Sequence, residues 1–230
     1  RPFRTAASAL GVGLAISLVF VTLFFFDVFA YTFRLQFGTA QRQDVTVAFT
    51  HPRAPAVRHD LAHLPGVERV EVFRGVPVRM GSGHRTRQLA LTGMEREPVL
   101  SRVLDRRGAP LAIPPQGLLL SAELAKVLGV APGDTVTVQV QEGARRALRL
   151  GVAATADDLF GINAYAEIGW LARELREAPA VSGAHLAVRD GGEAAVHARL
   201  KETPLVAAVT SPATMLRNFE EQVADNLYTN

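Results

Sequence analysis

AVRHDLAHLPGVERV, residues 56–70, returns in altered form as AVHARLKETPLVAAV at residues 195–209. Ala56, Val57, Leu61, Pro65, Val67 and Val70 fall on Ala195, Val196, Leu200, Pro204, Val206 and Val209 at one constant offset. Each copy reads as a short helix, a proline that stops it, and a strand. A strand candidate precedes each copy, DVTVAF at 44–49 and AHLAVR at 184–189, and its alternation suits a sheet with one buried face. The chain thus holds two β-α-β halves. Such a unit is expected to make right-handed parallel neighbours, and two side by side build a four-stranded sheet with both helices on one face.

The residues between the halves have a different texture. VPVRM, a turn at Gly81-Ser82-Gly83 and RTRQLALTGM predict a hairpin over 75–94. A connection through Pro110, Pro114 and Pro115 leads to a short apolar strand at 117–120. Ser121 then caps a helix whose apolar positions Leu124, Ala125, Val127 and Leu128 end at Gly129, a suitable left-handed residue. Pro132 and Gly133 fit the centre of a type II turn, TVTVQV alternates with Val136, Val138 and Val140 inward, and ALRLGVAA returns. The insert reads as mainly β. Tyr165 and Trp170, with Leu171 and Leu175, fit a helix packed on the core; exposed together, the two aromatics would instead form a docking patch.

Ahead of the first half lies RPFRTAASALGVGLAISLVFVTLFFFDVFAYTFRL. Thr5 to Phe26 carry no charge, and 22 residues of helix span ~33 Å, enough for a ~30 Å hydrocarbon core. The apolar run exceeds a signal peptide's usual length and has no polar stripe, so it reads as a retained transmembrane helix in a piece of a longer protein. Arg1 and Arg4 place the N-terminus in the cytoplasm and the main domain outside it, although Arg34 beyond the span weakens that bias, and Asp27 reads as interfacial. The helix is expected to continue through Thr32 to Arg42, with Phe33 and Phe37 one turn apart. At the other end Ser211 and Pro212 open a helix in which Met215, Leu216, Phe219, Val223 and Leu227 recur at three and four residue steps. Two helical legs therefore flank the domain, packed through Phe33, Phe37, Met215, Phe219 and Val223, and the second leads towards another span.

The net charge is +3, but three arginines and one aspartate sit in the first 34 residues, leaving 22 basic against 21 acidic groups. That balance points away from nucleic acid. With no cysteine, thiol chemistry and thiolate zinc are excluded. His59-Asp60-Leu61-Ala62-His63 has the two-histidine spacing of a zinc protease helix, but the acid is the shorter Asp, the helix stops at Pro65 and a third ligand is missing. Ser82, Ser101, Ser121, Ser182 and Ser211 form no GxSxG elbow, the neighbouring acids Asp157-Asp158 and Glu220-Glu221 are no facing pair, and no GxxxxGK[ST] loop occurs. No catalytic, cofactor or metal residue is assigned. Neither a membrane-tethered ligand sensor nor a membrane-anchored hydrolase is excluded by the residues alone.

RPFRTAASALGVGLAISLVF resembles the start of FtsX-like permeases of ABC transporters, and GLLLSAELAKVLGVAPGDTVTVQV resembles the strand, helix and GD turn of their MacB-type periplasmic core domain. DLFGINAYAEIGWLARELREAPAVSGAHLAV and LKETPLVAAV are similar to the later part of that domain. The resemblance implies a non-catalytic extracytoplasmic domain in the inner membrane, working as a dimer or pseudo-dimer with a cytoplasmic ATPase subunit. Relatives export solutes or transmit ATP-driven motion to the envelope. The expected fold is α+β: a transmembrane helix and stalk extension (1–43), the first half of a split β-α-β, porter-like lobe (44–74), an inserted mainly-β lobe (75–182), the second half (183–210), and a stalk helix (211–230). The alternative carried forward is the ligand sensor.

Overall fold

The computed structural model describes residues 42–211, except 106, 158–160, 190, 202 and 204, together with Gly13, Ser17, Leu18, Phe20, Val21 and Phe24. The chain divides into two units, Arg1–Thr39 and Ala40–Asn230. In the first, the six described residues are helical, and Leu18, Phe20, Val21 and Phe24 expose more than half of their surface. Among the described residues no helix is long and apolar enough to cross a membrane. The expected span lies outside them apart from those six, and Phe33, Phe37, Met215, Phe219 and Val223 lie outside them altogether.

The described part of the second unit runs β1 (Val45–Arg53), α1 (Val57–Ala62), β2 (Val67–Ser82), β3 (Arg85–Met94), β4 (Val103–Leu104), β5 (Pro110–Leu111) and β6 (Leu118–Ser121). It continues with α2 (Ala122–Leu128), β7 (Thr135–Val140), β8 (Ala147–Ala156), β9 (Ala164–Glu167), α3 (Ile168–Leu175), β10 (Val181–Val188), α4 (Glu193–Lys201) and β11 (Val206–Thr210). Nine strands join in the order β11-β1-β10-β2-β3-β9-β6-β8-β7, and β7 pairs again with β2. The last six therefore close on themselves as a small barrel, which removes their edges. The first four form an open sheet.

The two β-α-β halves interleave rather than lie side by side. β10 sits between β1 and β2, and every neighbouring pair in the open sheet is antiparallel, not parallel as the sequence suggests. The connection from β1 through α1 skips one strand position, and a strand from the other half fills the slot. Val45 and Val47, Val70 and Val72, and Ala184, Leu186 and Val188 turn to one face, where Leu61 of α1 and Val196 and Leu200 of α4 cover them.

The barrel interior is filled by Val76, Val78, Met80, Leu91, Leu118, Leu120, Val136, Val138, Leu150 and Val152, plugged by Leu124 and Leu128 of α2 and Trp170 and Leu171 of α3. Ser121 accepts the Leu124 N–H, and Gly129 ends α2 at φ 69°. Asp134 N–H donates to Ala131 O at 3.0 Å across Pro132 and Gly133, where φ 99° at Gly133 demands a residue without Cβ. The hairpin turn falls at Gly83-His84, two residues later than expected, because Gly81 and Ser82 continue the ladder opposite Thr86 and Arg85. Gly81 serves the strand instead: a Cβ there would press on Thr86.

Candidate functional site: the chain exits and the Arg74 joint

β1 enters and β11 leaves the fold as hydrogen-bonded antiparallel partners, with Thr46 opposite Thr210 and Val47 opposite Val209. Directly opposed residues of such a pair have their Cα atoms ~4.5–5.5 Å apart. The incoming chain is fastened before the strand starts. Arg42 N–H donates to Leu100 O at 2.7 Å, Asp44 N–H to Leu186 O at 2.9 Å, and the Asp44 carboxylate accepts the Val188 N–H at 2.7 Å. Gln43 and Ser211, one on each chain exit, are 6% and 5% exposed, and neither Gln43 Oε1 nor the Ser211 hydroxyl has a hydrogen-bond partner.

Strand β2 belongs to both parts of the sheet. Its first half pairs with β10 and its second half with β3 and β7. Val70, Val72, Val76, Val78 and Met80 all point to core, and Arg74 occupies the same phase between them at 7% exposure. A guanidinium there has to be paired. Arg74 Nη1 donates to the Ser182 hydroxyl of β10 at 2.8 Å and to Gly75 O at 3.2 Å, while Nη2 donates to Glu142, in the β7–β8 turn. Glu177, just after α3, stands 3.9 Å away. Ser182 Oγ closes the ring by donating to Gly75 O at 3.1 Å. Sequence reading passed over Arg74, whose signal was a charge in the inward phase of an apolar alternation.

On the face of the open sheet away from α1 and α4, His185 lies opposite both Thr46 and Glu71. Its ring stacks on Phe73 with centroids 4.7 Å apart, and Nδ1 is 3.1 Å from Thr46 Oγ1. Burial disfavours the charged imidazole and lowers its pKa to about 4. Glu71, 5% exposed, accepts the Val99 and Leu100 N–H groups at 2.7 and 2.9 Å, tying the 95–101 loop to this face. Gly183 makes room for Phe73, since a Cβ there would collide with the ring and with Val47 O.

The other residues singled out from sequence are dispersed. Trp170 is 8% exposed inside the barrel core, and Tyr165 points the opposite way from β9 into a second cluster of Met94, Val103, Ile113 and Leu119. They share no exposed patch, because Tyr165 leaves β9 on the side away from the barrel core, whereas Trp170 belongs to α3 and points into that core. His59 on α1 and His63 at its C-cap are both exposed, and His63 Nδ1 donates to His59 O at 2.6 Å. Among the described residues no group of three His, Cys, Asp or Glu side chains is placed to hold a metal. Ser121 accepts two backbone N–H groups, from Leu124 and Asn163, and Ser82 ends β2. The arrangement consists of two fastened exits on one sheet, and one buried cation joining that sheet to a closed barrel.

The unit Ala40–Asn230 therefore has a mixed α/β fold of an interleaved sheet with a barrel inserted between its halves. The fold resembles that of a MacB periplasmic region. The periplasmic region of MacB from Actinobacillus actinomycetemcomitans superposes with TM-score 0.50 at 14% identity, over 80% of this chain and 95% of that one. The extracellular domain of the noncanonic ABC-type transporter YknZ from Gram-positive bacteria gives TM-score 0.49 at 12% identity, over 74% and 98% of the two chains. A domain of a protein named as a permease, from Porphyromonas gingivalis, gives 0.40 at 15% identity over 70% and 82%. No protein-family model and no curated protein matches the chain.

Proposed function

We propose that this chain is the extracytoplasmic domain and first transmembrane helix of an ABC-transporter permease subunit, a non-catalytic part that couples ATP hydrolysis in a cytoplasmic partner to export or mechanical work in the envelope. In this reading a porter-like lobe (44–74 with 183–210) stands on two stalks (1–43 and 211–230), carries the inserted lobe (75–182), and works beside a second permease subunit or repeat. The observation that carries it is the pairing of β1 with β11, since both connections leave one sheet edge side by side. Two supports stand beside it: the MacB-type fold, and the exposed Leu18, Phe20, Val21 and Phe24 on a helical segment, a surface suited to lipid rather than water.

The mechanics follow from the ladder. Pulling β1 and β11 apart would have to break the hydrogen bonds between them, so in this reading the two exits move the open sheet as one body. Displacement passes from β1 through β10 to β2, and β2, 16 residues and ~50 Å long, delivers it to the barrel. In the complete permease with its ATPase partner, replacing Phe219 and Val223 together by Asp puts two charges into the proposed leg contact. Transport-coupled ATP hydrolysis is expected to fall by about tenfold or more, the equivalent of 1.4 kcal/mol of lost coupling. Unchanged coupled hydrolysis, at unchanged protein level, would overturn the packed second leg.

A further inference from the structure

Leu100 is gripped through both of its backbone groups. Its N–H donates to one oxygen of Glu71 at 2.9 Å, and its carbonyl accepts the Arg42 N–H at 2.7 Å. The neighbouring Val99 N–H donates to the other Glu71 oxygen at 2.7 Å. Arg42 belongs to the entering chain ahead of β1, and Glu71 to β2, so Leu100 bridges two elements that the sheet itself joins only by way of β10. The bridge reaches the barrel by a second course. Arg96 O accepts the Ile113 N–H at 2.8 Å, and Ile113 packs with Met94, Val103 and Leu119 on the side of β6 away from the barrel core.

Glu71 is 5% exposed, a place where an apolar residue would bury area against the loop with no charge to desolvate. A carboxylate does something else there. Its two oxygens take consecutive backbone N–H groups in charge-assisted hydrogen bonds, which offset its burial and leave the Leu100 carbonyl turned to the entering chain. We propose that residues 95–101 are a strap, latched by Glu71, through which displacement of the chain at Arg42 reaches the barrel wall at Val103 and Ile113 without passing along β1, β10 and β2. The strap's use in transmission rests on the proposed role of the entering chain as a leg; its latch does not. Glu71 is a positioning residue, since it acts on Arg42 only through Leu100. The Arg58–Glu95 ion pair at the start of the loop, 2.9 Å long but with side chains 48% and 33% exposed, is screened by water and is no part of the latch.

The test is residue-resolved amide exchange in the purified full chain, for the wild type, Glu71→Gln and Arg58→Gln. Glu71→Gln keeps the shape of the side chain but leaves one accepting oxygen for two donors. Exchange is expected to quicken about tenfold at Val99 and Leu100 and about fivefold at Arg42, with β10 unchanged, whereas Arg58→Gln leaves all of these within about twofold. A rise at Val99 and Leu100 alone would make Glu71 a local anchor of the loop and overturn the strap, and so would an equal rise throughout β10. If Glu71→Gln does not fold, Glu71→Asp, which keeps the charge and draws it back by one methylene, is read the same way. In the complete permease with its ATPase partner, Glu71→Gln is expected to lower transport-coupled hydrolysis about fivefold at unchanged basal hydrolysis. Unchanged coupling despite faster exchange at Arg42 would overturn transmission through the strap. The legs are judged apart from it, by the Phe219 and Val223 substitutions, and the exchange result stands whichever way those fall.

Discussion

The barrel draws its strands and helices from one unbroken stretch, the second half of β2 through α3, and closes when β7 returns to β2. The open sheet draws β1 and β2 from one end of the described chain and β10 and β11 from the other. The barrel leaves no edge, so nothing outside is needed to complete its ladder. The sheet keeps β11 as an edge and can form only after ends separated by the whole barrel have met, a closure that costs entropy before it gains contacts. One part is therefore self-sufficient, and the other is held by what joins its distant halves. Their single shared strand and the buried Arg74 are where the difference can be tested.

The largest effect is expected at that joint. Arg74→Met removes the donor from Ser182, Glu142 and Glu177 and should lower stability by about 3 kcal/mol, the low end for breaking a buried ion pair because both carboxylates keep water. Amide exchange should rise in β10 well before β8. Equal rises in both strands would show that sheet and barrel open as one, and the comparison would break.

A smaller and more selective loss should follow acid. His185 is neutral in the fold down to about pH 4, whereas in the unfolded chain it titrates near 6.5. Between those values the unfolded state takes up a proton that the native state refuses, so stability is intact above 6.5, declines as pH falls to about 4, and declines no further from this group below that. The full shift would amount to about 3 kcal/mol, and partial exposure of the ring reduces this to roughly 2. Carboxylates add their own acid dependence, so the reading is the difference between wild type and His185→Gln in denaturant midpoints from pH 7 to pH 4. Parallel curves would remove His185 from the account and leave the back face of the sheet no more acid-sensitive than the barrel.

Several elements were legible because their signals are local. Ser121, Gly129 and the Pro132-Gly133 turn each require one residue type at one place, and the alternation of 135–140 needs only the pleat. The repeat of 56–70 at 195–209 named the helices and strands of the sheet but not their neighbours. Period and propensity are properties of a segment, whereas the insertion of β10 between β1 and β2 is decided by which empty slot the far half can reach. The hairpin turn at Gly83-His84 was misplaced because two glycines flanking a serine offer two solutions, and only the ladder opposite Thr86 selects one. Arg74 was missed for a related reason. Its phase in β2 was visible, but its partners arrive from β10, the β7–β8 turn and the end of α3.

The smallest expected effect tests the barrel by itself. Ser121 is fully buried, and its hydroxyl accepts the Leu124 N–H at 3.2 Å as the cap of α2 and the Asn163 N–H at 3.0 Å from the segment entering β9. Ser121→Ala leaves both donors without that oxygen, for a loss of about 1–2 kcal/mol, and Ser121→Thr should restore part of it. If the barrel is self-sufficient, exchange should quicken in α2, β6 and β9 and stay unchanged in β1 and β10. A rise in β1 as large as that in β6 would mean that the open sheet borrows stability from the barrel along β2, and the two parts would then have to be treated as one cooperative body.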